Sequence, residues 1–355
     1  MKTKVLVVDD SPVIRSILSA IIEEQPDMVV VGAAPDPLVA KELIAKLNPD
    51  VLTLDIEMPH MNGLAFLKRL MAVRPMPVVM LSSFTQQGSD VAFQALSLGA
   101  VEVVGKPAMG APVDDKYSRS IVEAIRGAHA ARHNLKPPSS SPGDAKIVLP
   151  NLGKRTQTLQ QVVVVGAATG GAEAVREILT QMPAEGPPVV LALQLPPGIT
   201  RHFVKRLQGE CKMTIREAAD GEPVLPGNVY VAPSGASVTI GKYESRGYGI
   251  QVMDVMLDTR PVDALFNATA EAAGSNACGV ILTGMGDDGA RGLKEMLDAG
   301  ARTMAQDEAS SVVWGMPGAA VKLGGAQDIL PLGRVAENIM RLAQTVGAPA
   351  LAAAR

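Results

Sequence analysis

Val162 to Gly171 reads VVVVGAATGG, and no other stretch restricts the fold as tightly. Four consecutive valines favour a strand, and the glycines behind them turn the chain sharply into the amphipathic run AEAVREILTQM. A strand feeding a helix through such a corner is the unit of an open α/β sheet, whose strand ends face a crevice where ligands and catalytic groups gather. A hydrolase of this geometry carries Ser or Cys at the corner, its Oγ or Sγ lifted above the helix N-terminus. The corner here carries Ala168, so that position offers no nucleophile. The neighbouring Thr169 is expected to cap the following helix through its hydroxyl. Gly166, Gly170 and Gly171 do not read as a nucleotide loop, because neither a Lys-Ser/Thr pair nor a suitably spaced acid follows them.

With 355 residues the chain is long enough for two domains, each with its own core. A formal net charge of -3 and the lack of a basic stretch exclude nucleic acid as the main partner. Cys211 and Cys278 make no disulfide framework and read as reduced thiols. The opening MKTKVLVVDD reads as a strand, and no apolar run approaches the roughly 18 residues of a membrane span. A cytoplasmic protein without direct membrane insertion is expected.

Strand-like runs recur at residues 4–8, 28–31, 51–54, 77–81 and 101–104, with helical patterns between them. They predict a first α/β domain over 1–130, a doubly wound parallel sheet of the flavodoxin-like kind. Ser11 is the expected cap of the first helix, with Pro12 in its first turn and Val13, Ile14, Ile17, Leu18 and Ile21 on one face. Polar residues fall at the strand ends: Asp9 and Asp10 after the first, Asp55 after the third, Ser82 after the fourth and Lys106 after the fifth. Asp9, Asp10 and Asp55 form a hard oxygen set suited to Mg²⁺. With Lys106 and Ser82 opposite, the group can hold a phosphoryl on Asp55.

The segments VLVVDDS, LTLDIEMPHMNGL, VVMLSSF and VEVVGKP resemble the receiver domains of response regulators. The resemblance implies that Asp55 accepts phosphate from a histidine kinase of the chemotaxis type and that a cis bond precedes Pro107. It departs at Val103, where such domains often place an aromatic that swings on activation. The Pro-, Ser- and Gly-rich stretch over 131–159 predicts a flexible tether.

Alternating strand and helix patterns predict a second, three-layer α/β domain over 160–348. GAATGG, LQLPPGIT, TRPVDALF, ILTGMGDDGA and AQDEASSVVWGMPGAA resemble the catalytic domain of the CheB-like chemotaxis protein-glutamate methylesterases, which also deamidate receptor glutamines. That family places serine, histidine and aspartate at the positions of Ala168, Gln194 and Asp288, so only the orienting acid is kept. An amide cannot accept a proton near neutral pH. A histidine is also missing near Ser237, and several replacements fit natural drift better than one engineered change. Of the four histidines, His60, His129 and His133 precede the second domain, and His202 is expected to be a solvated surface residue. Thr169 and the Met285 backbone N–H mark a candidate oxyanion region. The reading reached is a phosphorylation-controlled regulator whose second domain is catalytically inactive and binds chemoreceptor cytoplasmic segments or a receptor methyltransferase at receptor arrays. The alternative is an active esterase and glutamine deamidase on chemoreceptors.

Overall fold

The computed structural model describes residues 2–58, 62–82, 86–107, 114–132, 134, 161–195, 199–243, 247–254 and 260–345. The chain divides into two compact units, Met1–Gly143 and Asp144–Arg355. Residues 135–159 of the expected tether, with His60, His133 and the PPG at 196–198, lie outside the described residues.

The first unit runs β1 (Thr3–Val8), α1 (Pro12–Glu23), β2 (Met28–Ala34), α2 (Pro37–Leu47), β3 (Val51–Asp55), α3 (Gly63–Val73), β4 (Val78–Ser82), α4 (Gln86–Ser97), β5 (Glu102–Gly105) and α5 (Asp115–Ala131). Its strands pair in parallel in the order β2-β1-β3-β4-β5. The order reverses between β1 and β3, which opens a crevice at their C-terminal ends. Ser11 caps α1 by accepting from the Ile14 N–H. Ile14, Leu18, Ile21 and Ile22 are the buried face of α1, whereas Val13 is 60% exposed. At about 100° per residue Val13 and Ile14 cannot share one narrow face, and the expected stripe was one residue too wide. The Lys106–Pro107 bond is trans, as are all described peptide bonds. Trans is the lower-energy form by about 0.5–1 kcal/mol, and the turn here does not override it.

The second unit runs β6 (Val162–Ala167), α6 (Gly171–Gln181), β7 (Val189–Leu193), α7 (Thr200–Glu210), β8 (Thr214–Glu217), β9 (Asn228–Val231), β10 (Ala236–Lys242), β11 (Tyr248–Asp254), α8 (Pro261–Ala273), β12 (Ala277–Ile281), α9 (Ala290–Asp298), β13 (Arg302–Gln306), α10 (Met316–Lys322), β14 (Asp328–Leu330) and α11 (Leu332–Thr345). Its parallel sheet has the order β14-β13-β12-β6-β7-β9-β8, while β10 and β11 form a separate antiparallel pair. Here the order reverses beside β6, between β12 and β7. The four valines of β6 are all buried, so this strand is the centre of the sheet as its composition predicts. Val262, Leu265 and Phe266 of α8 are fully buried in the main core. Each such side chain contributes about 1.5–3 kcal/mol relative to exposure, which fixes the start of α8 against the sheet end.

Candidate functional site

In the first unit the crevice between β1 and β3 collects the carboxylates. Asp9 and Asp55 are both fully buried, while Asp10 beside them is exposed. Ligand atoms of Asp9, Asp10 and Asp55 lie within 4.8 Å of one another. Lys106 Nζ sits 2.8 Å from Asp9 Oδ2 and 2.8 Å from Asp55 Oδ1. The end of β5 reaches this position because the Lys106 N–H donates to the Ser82 carbonyl at 2.8 Å, and Ser82 is itself buried at the end of β4. Asp55 Oδ1 also accepts from the Glu57 N–H at 3.1 Å.

Burial pushes the Asp55 carboxyl up to about 6, and the Asp9 charge adds to this against the pull of Lys106. Burial works to lower Lys106, but hydrogen bonds and charge from Asp55 and Asp9 carry it above the usual lysine range. Asp55 Oδ2 is buried without a hydrogen-bond partner, and Asp9 Oδ2 has only the Lys106 ammonium beside it, at 2.8 Å. An unpartnered buried oxygen of Asp55, with the carboxylates of Asp9 and exposed Asp10 close by, fits a divalent cation of the hard, oxygen-seeking kind.

In the second unit the corner after β6 lies at the reversal of strand order. Ala168 N–H donates to the Thr283 carbonyl at 3.1 Å, and its own carbonyl accepts from Gly171 N–H at 2.7 Å. Gly170 takes the left-handed conformation, φ 77°, at the cap position of α6, and no side chain caps that helix. The capping role expected of Thr169 is therefore corrected: glycine takes the cap position, Thr169 sits one residue earlier inside the turn closed by Gly171 N–H and the Ala168 carbonyl, and its own carbonyl accepts from Thr283 Oγ1 at 3.0 Å. Among the described residues neither the Thr169 nor the Met285 backbone N–H donates to a protein acceptor.

Gln194 follows β7, and its backbone N–H donates to the Ala167 carbonyl at 3.1 Å, which sets it beside the corner. Its Nε2 donates to Asp288 Oδ2 at 3.1 Å. The structure thus brings Ala168, Gln194 and Asp288 together from three strand ends. Asp288 also accepts from the N–H groups of Val262 at 3.2 Å and Asp263 at 3.0 Å, in the first turn of α8. Burial raises its carboxyl above the ordinary range; those two N–H groups oppose the shift, the Asp263 charge adds to it and Arg260 opposes it.

Sequence reasoning missed the frame around these groups. Arg260 binds Asp263 Oδ2 at 2.6 Å and Asp287 Oδ1 at 2.9 Å, which ties the loop before α8 to the loop carrying Asp288. Thr283 receives its backbone orientation from fully buried Gln306, whose Oε1 accepts from the Thr283 N–H at 2.8 Å. The Trp314 indole N–H donates to the Gln306 carbonyl at 3.1 Å, so the tryptophan belongs to this frame. A basic residue before the helix-starting proline in TRPVD was a legible hint for Arg260; Gln306 lies within AQDEASSVVWGMPGAA, but nothing local showed that its side chain would turn to Thr283. His202 is half-buried with Nδ1 shut from water and unpaired, not a solvated surface residue, because its first-turn position on α7 turns the ring inward. Both cysteines are free, and burial pushes Cys211 up to about 11 and Cys278 up to about 12, so neither is a thiolate nucleophile. No helix among the described residues is long and apolar enough to cross a membrane.

A receiver-type carboxylate crevice joined to a hydrolase-type strand-end corner defines a response regulator with an effector domain of methylesterase architecture. The response regulator receiver family matches residues 5–113, and the CheB methylesterase family matches residues 163–339. The chain is 49% identical over 345 residues to a protein-glutamate methylesterase/protein-glutamine glutaminase of Bordetella parapertussis, covering 96% of this chain and 97% of that one. It is 47% identical to one of Burkholderia lata over 98% of this chain and 97% of that one, and 47% identical to one of Xanthomonas campestris pv. campestris over 96% and 97%. The chain belongs to the CheB-like family of chemotaxis response regulators, with a receiver and a methylesterase domain.

This kinship corrects the expectation that the second domain is inactive. Relatives alike over nearly the whole chain are named as methylesterases and glutaminases. The expectation gave two side chains the weight of the whole site. Oxyanion donors and binding groups accelerate acyl transfer in their own right.

Proposed function

We propose that the chain is a phosphorylation-controlled protein-glutamate methylesterase and protein-glutamine glutaminase acting on chemoreceptor cytoplasmic segments. The near-full-length identity to relatives of that name carries the reading. Phosphate enters on Asp55 from a histidine kinase of the chemotaxis type, with Lys106 and Ser82 on the phosphoryl oxygens. Asp9, Asp10 and Asp55 would hold Mg²⁺, which when bound would offset the negative charge of the incoming group.

Ala168 and Gln194 stand in the nucleophile and base positions, so no ester forms on residue 168. Water adds directly to the γ-carbonyl carbon, the oxyanion is received by the Thr169 and Met285 N–H groups, and its collapse breaks the C–OCH₃ or C–NH₂ bond. With no side-chain base present, the proton lost by the attacking water reaches the leaving group through solvent, so methanol or ammonia departs and the γ-carboxyl group remains. Asp288 holds the Gln194 amide beside the corner. A site without a side-chain nucleophile keeps about 10³–10⁴-fold over water, so turnover is slow and is followed over hours.

The test is release of methanol from methylated receptor and of ammonia from its glutamine form, with intact-mass analysis of the enzyme during turnover. Slow release without a covalent acyl adduct is expected, together with one labile phosphoryl adduct from a small phosphodonor that is lost in Asp55→Asn. No release above buffer, with or without phosphodonor, overturns the esterase reading; an adduct that survives in Asp55→Asn overturns the phosphoacceptor.

A further inference from the structure

Gln194 is held by an acceptor. Asp288 already receives three N–H groups, from Val262, Asp263 and the Gln194 side chain, a set that favours the carboxylate. A carboxylate only accepts, so the Gln194 NH₂ faces Asp288 and its Oε1 faces away. Among the described residues Oε1 has no partner, and Gln194 is exposed at the corner beside Ala168. The pinned amide therefore presents a bare acceptor beside the corner, since the Gln194 backbone is bonded to Ala167, one residue before it. On the proposed reaction, the leaving group of a γ-carboxyl derivative held at the corner comes against this acceptor.

The two substrates of the proposed reaction differ at that point. A glutamine side chain ends in NH₂ and offers two donors. A glutamyl methyl ester ends in an ether-type oxygen, which offers lone pairs and sets acceptor against acceptor. We infer that the Asp288-oriented Gln194 amide makes this site selective for carboxamides, so that it favours receptor glutamines over glutamyl methyl esters. The inference rests on the proposed function for where the substrate binds, but it concerns recognition and needs no turnover. One hydrogen bond at a solvent-reached position is worth about a tenfold preference, well short of the discrimination a sealed pocket achieves.

Three helical peptides of one receptor-like sequence, carrying glutamine, glutamate γ-methyl ester or glutamate at the central position, are titrated onto the full chain by fluorescence anisotropy. The glutamine peptide should bind about tenfold more tightly than the ester. Gln194→Leu should bring the two within about twofold, and Asp288→Asn, which frees the amide to rotate, should reduce the preference while circular dichroism reports an intact fold. Equal or tighter binding of the ester by the wild-type chain overturns the inference, as does failure to bind the glutamine peptide or a preference that survives in Gln194→Leu. Ammonia and methanol release from the same peptides separates the two readings. Selective binding without release leaves the recognition standing and removes the enzyme, whereas release with equal binding does the reverse.

Discussion

Asp55 is fully buried and shares one ammonium with Asp9, and this residue sets the electrostatics of the receiver crevice. Its carboxyl, pushed up to about 6 mainly by burial, holds a proton more tightly in the folded chain than in the unfolded one, where about 3.9 is usual. Stability from this group is therefore complete below about pH 4 and is lost as pH rises through about 6. In chelator, the melting temperature of the receiver transition in Asp55→Asn should exceed that of wild type near pH 7, and the gap should close toward pH 4. Magnesium should narrow the gap at pH 7 by offsetting the charge in the wild-type chain only. Calorimetry across that range checks both, and a gap independent of pH would show that Asp55 titrates like an exposed carboxylate. The residue types at this crevice were legible because strand ends are countable. Which oxygen lacks a partner, and hence where a cation fits, was not, because that depends on where Lys106 comes to rest.

At the scale of elements, the corner after β6 exists because two chains approach without side chains between them. A Cβ on Gly284 would lie 2.2 Å from Met316 Sδ, 2.9 Å from Ala168 Cβ and 3.0 Å from Ala168 N. Gly284→Ala is expected to cost about 1–3 kcal/mol by overpacking, read by urea denaturation. It should also weaken binding and turnover more than a surface glycine change such as Gly209→Ala, where a Cβ meets nothing within 4 Å. Unchanged stability in Gly284→Ala would mean that the two loops separate freely and that the corner is not held. Two edge strands carry only a weak period. The edge strand β8, TIRE, buries only Ile215, and β14, DIL, has no buried residue, so neither shows the apolar run that marked β6 and β12. Edge strands carry less hydrophobic signal because one side of each ladder is unpaired.

At the scale of the whole molecule, the chain forms two compact units, and its sequence between them is rich in proline and serine; the proposed phosphorylation of the first would act on the second across that connection. A doubly charged phosphoryl at the sheet edge reorders neighbouring loops through new charge-assisted hydrogen bonds. A tethered partner at high effective concentration responds to small changes of that kind. Limited proteolysis within residues 131–159 is expected to differ between the free chain and the chain treated with beryllofluoride and magnesium, and the difference should vanish in Asp55→Asn. Identical cleavage in all three states would separate the receiver from control of the second unit.

The sequence by itself determined the two α/β units, the five polar strand-end residues of the receiver and the identities at 168, 194 and 288, because hydrophobic period and position along a strand are local properties. It also invited the inference of inactivity, since a missing nucleophile is visible in one dimension and the rest of a hydrolytic site is not. Tertiary structure alone decided that Gln194 reaches Asp288 across 94 residues of chain, that Gly170 displaces Thr169 from the cap, and that Gln306, Thr283 and Arg260 hold the corner. Those facts depend on which strands become neighbours at the reversal of sheet order, and hydrogen bonds made there follow spatial distance, which no local pattern of residues encodes.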